Sequence, residues 1–138
     1  MADRTLVIIK PDAVERGLTG EILARLERKG LRIVALELRQ LDEITLARHY
    51  EEHLGKSFYG DLVAFMGRSP AVLAVLEGPE DTWKVVRALM GPTNPREAAP
   101  GTIRGDLGTL LTENLVHGSD GPESAVREVA IFFPDLGQ

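Results

Sequence analysis

His117 stands in the stretch Asn114-Leu115-Val116-His117-Gly118-Ser119-Asp120, between a glycine and small polar residues. A histidine in such company is either a turn residue whose neighbours cap the next helix, or a nucleophile. A neutral imidazole, with a free pKa of about 6.5, needs no activating base near neutral pH. It needs orientation and a chosen tautomer, and Ser119 and Glu128 are the candidates to supply both. The other two histidines, His49 and His53, are four residues apart on an expected helix and share a face. Tyr50 occupies the glutamate position of an H-E-x-x-H zinc motif and no third ligand suggests itself, so a polar helix face is the stronger reading.

Cationic groups near glycine or proline form a second set. In Gly101-Thr102-Ile103-Arg104-Gly105-Asp106 the glycines let backbone approach a ligand while Arg104 offers a two-pronged fork. Thr93-Asn94-Pro95 lies in the same loop. Lys10 ends an apolar strand where Pro11 begins a helical turn; it either snorkels to water or faces a cleft. Arg87, three residues after Lys84, reads by itself as a solvated helix residue. Phe58-Tyr59 follow the polar Gly55-Lys56-Ser57; an aromatic there is core or a lid that stacks on a flat ligand.

Composition narrows the choice. The chain has 138 residues, with 16 Lys+Arg against 21 Asp+Glu, a net charge of −5 and no cysteine. That length suits a single domain over residues 1–138 with its own core. Zero cysteine excludes disulfides, thiolate metal sites and a cysteine nucleophile, and fits a reducing cytosol. The acidic balance disfavours nucleic acid as the main partner. No run reaches the roughly 18 apolar residues of a membrane helix. Met1-Ala2-Asp3-Arg4 opens no secretory leader. A Walker-type phosphate loop, a G-x-G-x-x-G fingerprint, an EF-hand loop and a G-x-S-x-G elbow are all missing.

The elements that must position these residues are read from periodicity. Leu6-Val7-Ile8-Ile9 is apolar on both faces, as a central strand over residues 4–10 would be. Pro11 stops it and opens a turn to Gly17. Thr19 is the expected cap of a helix to about Lys29, with Gly30 at its end. Residues 31–40 alternate, turning Val34, Leu36 and Leu38 one way. Asp42 caps a helix to about Leu54, and residues 58–67 form another. A strand over 71–76, closed by Gly78-Pro79, precedes a helix over 81–90. Residues 91–121 are rich in Gly, Pro, Thr and Asn, a length of irregular chain that is functional or disordered. A short helix near Pro122 and a last strand over 129–133, with Glu128 at its start, complete the chain. The order predicts an α+β, ferredoxin-like βαββαβ fold: a four-stranded antiparallel sheet, helices on one face, an inserted helical pair and a long loop.

Taken together, Ile9-Lys10-Pro11-Asp12, His49-Tyr50-x-Glu52-His53, Thr93-Asn94-Pro95, Gly101-Thr102-Ile103-Arg104-Gly105-Asp106 and Asn114-x-x-His117-Gly118-Ser119-Asp120 resemble the nucleoside diphosphate kinase family. The resemblance runs from about residue 4 to 135. It implies a ping-pong phosphotransferase with low base specificity: a nucleoside triphosphate donates its γ-phosphate to His117, and a nucleoside diphosphate takes it. By the resemblance, Lys10, Tyr50, Arg87, Thr93, Arg104 and Asn114 surround phosphates, ribose and the transferring group. Phe58, Leu62 and Leu111 hold the base, and Ser119 and Glu128 position His117. Mg²⁺ is carried mainly on the phosphates, with Asp120 near it or in a supporting role. Dimers assembling into tetramers or hexamers are also implied, and the absence of cysteine points to a cytoplasmic location. One departure lies at Gly78-Pro79-Glu80-Asp81, where the spacing to Arg87 is one residue longer; anchoring on Thr93 still assigns Arg87. Two other readings are a nucleotide-sensing module without turnover and a histidine phosphocarrier fed by a protein donor.

Overall fold

Strands β1 (Asp3–Ile9) and β3 (Ala71–Gly78) form the middle of one antiparallel sheet because both are apolar on both sides. Outside them lie β2 (Arg32–Arg39) beside β3 and the three-residue β4 (Val116–Gly118) beside β1, giving the order β2-β3-β1-β4. This is the expected ferredoxin-like sheet. The chain is seen in a computed structural model that describes residues 3–136. Met1 and Ala2, on which part of the leader reading falls, lie outside the described residues. Among those described, no helix is long and apolar enough to cross a membrane.

Seven α-helices are described: α1 (Pro11–Glu15), α2 (Thr19–Arg28), α3 (Glu43–His49), α4 (Tyr59–Gly67), α5 (Thr82–Met90), α6 (Ile103–Leu107) and α7 (Pro122–Phe132). Alternation along β1 sorts them. Val7 and Ile9 share a core with Ile22 and Leu26 of α2 and Val86 and Met90 of α5. Leu6 and Ile8 point the opposite way, to Leu46 of α3, Met66 of α4 and Phe132 of α7. Helices therefore cover both faces of the sheet, not one. The inserted pair and the C-terminal helix supply the second layer.

The last strand is not where apolar character alone puts it. Residues 129–133 lie in and just after α7, and β4 is the segment carrying His117. A short apolar run does not distinguish strand from helix. Here Pro122 sits at the helix start, and Ala125, Glu128 and Phe132 recur on one buried face. β4 escapes notice because it is short and ends in glycine. A side chain there would crowd α5: a Cβ on Gly118 would lie 2.7 Å from Met90 Sδ and 3.1 Å from Val86 Cγ1.

Smaller differences have similarly local causes. Asp42 does cap α3, accepting from the Thr45 amide at 2.7 Å. The expected helix to Leu54 ends at His49, and a 3-10 turn, Glu51–His53, follows. Residue Leu18, not Thr19, occupies the cap position of α2 and makes no side-chain capping bond. In β2 a bulge between Ile33 and Ala35 interrupts the alternation, and Leu36 and Leu38 are exposed on this edge strand.

Candidate active site

Sheet register aims the nucleophile candidate. His117 pairs directly with Ile8, so its side chain shares the face of Leu6 and Ile8, beneath α3 and α7. There its Nε2 lies 2.9 Å from Oε1 of Glu128. The same oxygen accepts a 2.7 Å hydrogen bond from the hydroxyl of Ser119, which is fully buried. Glu128 reaches the ring from a helix packed across the sheet. Burial by itself would raise the Glu128 carboxyl; the hydrogen bond and charge of His117, with the hydroxyl of Ser119, outweigh it and hold the group below the ordinary carboxylate value. As a carboxylate it accepts from Nε2–H, which leaves Nδ1 of the neutral ring as the nitrogen with a free lone pair.

His117, Glu128, Tyr50, Arg87 and Asp120 line one cleft of about 430 Å³. Arg87 donates from Nη1 to the Gly118 carbonyl at 3.0 Å, so the longer Gly78–Arg87 spacing still leaves its guanidinium one residue from His117. Tyr50 is buried, and burial followed by the charge of Glu128 pushes its hydroxyl pKa up, keeping the proton on. Asp120 is exposed and accepts from Ser124 Oγ at 2.5 Å.

Lys10, Thr93, Arg104 and Asn114 form an adjoining network. Lys10 Nζ donates to Asn114 Oδ1 at 2.8 Å, and Asn114 Nδ2 donates to the Thr93 carbonyl at 3.0 Å. Burial, then the charge of Arg104, lower Lys10 to about 8, with Asp12 opposing. Arg104 departs from the simple fork expected of it. It donates to the carbonyls of Asn114, Gly91 and Val116 at 3.0, 3.1 and 2.6 Å. Those bonds occupy three of the five N–H groups of a guanidinium and tie the long loop to β4. Burial and the nearby Arg87 bring Arg104 down to about 10, still charged at neutral pH.

Asp12 is what holds this loop at its base. Its buried Oδ2 accepts from the Leu115 amide at 3.1 Å, while the Lys10 amide donates to the Leu115 carbonyl at 2.9 Å. Leu115 is thereby fixed at φ 76°, a left-handed conformation costly for a leucine. The reversal sends Asn114 toward Lys10 and starts β4, so the bonds that hold Leu115 help to fix the register of His117.

His49 is the residue that sequence reasoning misplaced. It is 5% exposed, and its ring meets that of His117 edge-on at 4.9 Å between centroids. Burial, then the charge of His117, push its pKa down to about 3, so it is neutral at physiological pH. The signal was present: Leu46 and His49, three residues apart, form the buried stripe of α3, and the buried Tyr50 follows at its end. His53 does not join His49 in a metal grip. Its ring stands 6.0 Å from Tyr50 and 5.3 Å from Phe58, part of a chain of rings from His117 through His49, Tyr50 and His53 to Phe58. Phe58 is 47% exposed at the outer end. Leu62 packs against the core that contains Tyr50, and Leu111 stands exposed in the loop before Asn114.

Comparison with known proteins covers nearly the whole chain. The family model described as nucleoside diphosphate kinase matches residues 3–137. A nucleoside diphosphate kinase of Streptomyces avermitilis is 61% identical over 135 residues, 97% of this chain and 98% of the relative. One from Corynebacterium diphtheriae is 54% identical over 139 residues, 99% of this chain and 100% of the relative. Among solved structures, a halophilic nucleoside diphosphate kinase from Halobacterium salinarum in complex with CDP superposes with a TM-score of 0.93 at 47% identity, covering 98% of this chain and 90% of that one.

The depressed Glu128 pKa has a sign that can be measured. A carboxyl whose pKa is lower folded than unfolded contributes stability above the unfolded value, about 4.3, and loses it as pH falls through the folded value. Glu128→Gln is expected to lose about 1–3 kcal/mol at neutral pH. The gap to wild type should shrink as pH falls below about 4. Urea unfolding of both proteins across this range checks it; a gap of constant size would contradict the assignment.

Proposed function

This chain belongs to the nucleoside diphosphate kinase family, and from that premise we propose how its residues, acting as one unit over 1–138, move phosphate between nucleotides. Nδ1 of His117 attacks the γ-phosphorus of a nucleoside triphosphate. An N–P bond forms, the bond to the bridging oxygen breaks, and a nucleoside diphosphate leaves. A β-phosphate oxygen of a second nucleoside diphosphate then attacks the phosphohistidine, the N–P bond breaks, and the ring is regenerated. Neither step moves a proton off Nε2. The positive charge that builds on the ring is offset by Glu128, and Ser119 keeps that carboxylate turned toward the ring.

Phosphoryl transfer needs in-line geometry and positive charge around the equatorial oxygens. Arg87 and the two unused N–H groups of Arg104 supply charge, and Lys10 with Asn114 meets ribose hydroxyls and phosphate. Tyr50, held protonated, donates toward the transferring group, and Thr93 lies beside Asn114 at the sugar. Phe58 presents an exposed face on which any base can stack, with Leu62 and Leu111 flanking it. A π-face is common to every base, so base specificity is low.

Mg²⁺ fits this cleft as an ion brought in on phosphates. Asp120 offers one hard carboxylate at the rim, and Mg²⁺ is commonly held by one or two carboxylates plus substrate phosphates. When bound it neutralises charge on the phosphate oxygens. A homo-oligomer built from dimers is supported by β2: Leu36 and Leu38 are exposed on an edge strand and line an open hollow with Val14, Leu23 and Val72. A cytoplasmic location suits charged nucleotide substrates.

The observation that carries this reading is the shared Glu128 oxygen, which leaves a lone pair on Nδ1 of a ring that lines a cleft. A sensor would need no such nitrogen, and a phosphocarrier would need no exposed Phe58. Incubation with Mg-ATP should leave acid-labile, base-stable phosphate on His117, which added GDP, CDP or UDP removes. His117→Gln should lose both; exchange at the wild-type rate in that variant would refute the mechanism. For the assembly, Leu38→Arg should lower the mass seen by light scattering. An unchanged mass would place the interface elsewhere.

A further inference from the structure

His49 contributes nothing to the transfer described above, yet it is buried against its centre. Both its ring nitrogens are buried and lack a hydrogen-bond partner among the described residues. A buried polar group left in that state costs free energy unless something else satisfies it. What faces it is specific. His49 Nδ1 is 4.0 Å from Oε2 of Glu128, the oxygen that does not bond His117 or Ser119. One ligand atom from each of His49, His117 and Glu128 lies within 4.8 Å of the others, and all three residues line the cleft.

Two imidazole nitrogens and a carboxylate oxygen are a borderline-soft donor set. It suits Zn²⁺ and its neighbours, whereas Mg²⁺ selects oxygen. Metal–ligand distances of about 2.0–2.2 Å put tetrahedral ligand atoms about 3.4 Å apart, so modest side-chain rotations would close the group on an ion. The fourth position would open to the cleft, as in sites with three protein ligands and one exchangeable one.

We propose that His49, His117 and Glu128 form an inhibitory site for Zn²⁺ or a similar divalent transition-metal ion, distinct from the phosphate-borne Mg²⁺. The ion takes Nε2 of His117 and takes Glu128 from its orienting role, and the ring proton displaced from Nε2 is carried on Nδ1 instead. A metal-bound neutral imidazole carries its proton on the other nitrogen, so Nδ1 loses the lone pair with which it must attack. Binding of the ion stands on geometry alone; its inhibitory effect rests on the function proposed above.

The test uses the whole protein without nucleotide. Zn²⁺ is titrated by calorimetry, and Co²⁺ serves as a coloured substitute whose visible absorption reports tetrahedral coordination. Wild type should bind one equivalent. His49→Phe, which keeps a ring in place, and Glu128→Gln should each bind at least tenfold more weakly. His53→Gln should bind as wild type does. In wild type, histidine ring resonances of His49 and His117 should shift with Zn²⁺ while those of His53 stay, a reading that needs no variant to fold. Zn²⁺ should block labelling of His117 by ATP, at a concentration raised tenfold in His49→Phe. Unchanged affinity in His49→Phe, or shifts confined to His53, would overturn the site. Stoichiometric binding by a protein that never labels His117 would keep the site and overturn the proposed function.

Discussion

One buried carboxylate organises this molecule's chemistry. Glu128 is 6% exposed, and an ionised group so placed is tolerated only when its lone pairs are taken. Ser119 and His117 both donate to Oε1. The pairing does three things together: it keeps Glu128 charged, holds the His117 proton on Nε2, and leaves the ring's lone pair on Nδ1. The two donors come from one end of β4 and the acceptor from α7, so the bond also fastens the C-terminal helix over the sheet.

The rest of the structure brings those two elements to bond length. β1 sits at the centre, and its strict alternation divides the helices between two layers. β4 is too short to set its own register. It is held by pairing with β1, by Asp12 and Lys10 gripping the strained Leu115, and by the bonds from Arg104 to Asn114 and Val116. Arg104 thus does two things at once: it ties down the loop and leaves positive charge beside the cleft. Net charge of −5 does not by itself oppose a phosphate-bearing substrate, because the fold draws Arg104 close to both Lys10 and Arg87.

Much of this was legible in the residues. β1 and β3 announce themselves by apolar character on both faces, and α3 begins at an aspartate that does cap it. The sequence blocks around Lys10, Arg104 and His117 all resemble one family, and the fold draws them to one end of the sheet. What was hidden had physical reasons. Residues 129–133 are β-branched and aromatic but belong with a helix, because tertiary packing of Ala125, Glu128 and Phe132 outweighs local preference. β4 is a strand by pairing alone. His49 looked polar by type, although its spacing from Leu46 placed it inward. Arg104's bonds to carbonyl oxygens depend on loop geometry that no spacing rule conveys.

The central claim is that the Glu128 bond decides which nitrogen reacts. It is tested most directly by identifying the phosphohistidine isomer after brief incubation with Mg-ATP, using phosphorus and nitrogen NMR on the intact phosphoenzyme. Phosphate on Nδ1 of His117, with Nε2 still protonated, is the predicted result. Phosphate on Nε2 would contradict the account, since that nitrogen is the one the structure gives to Glu128.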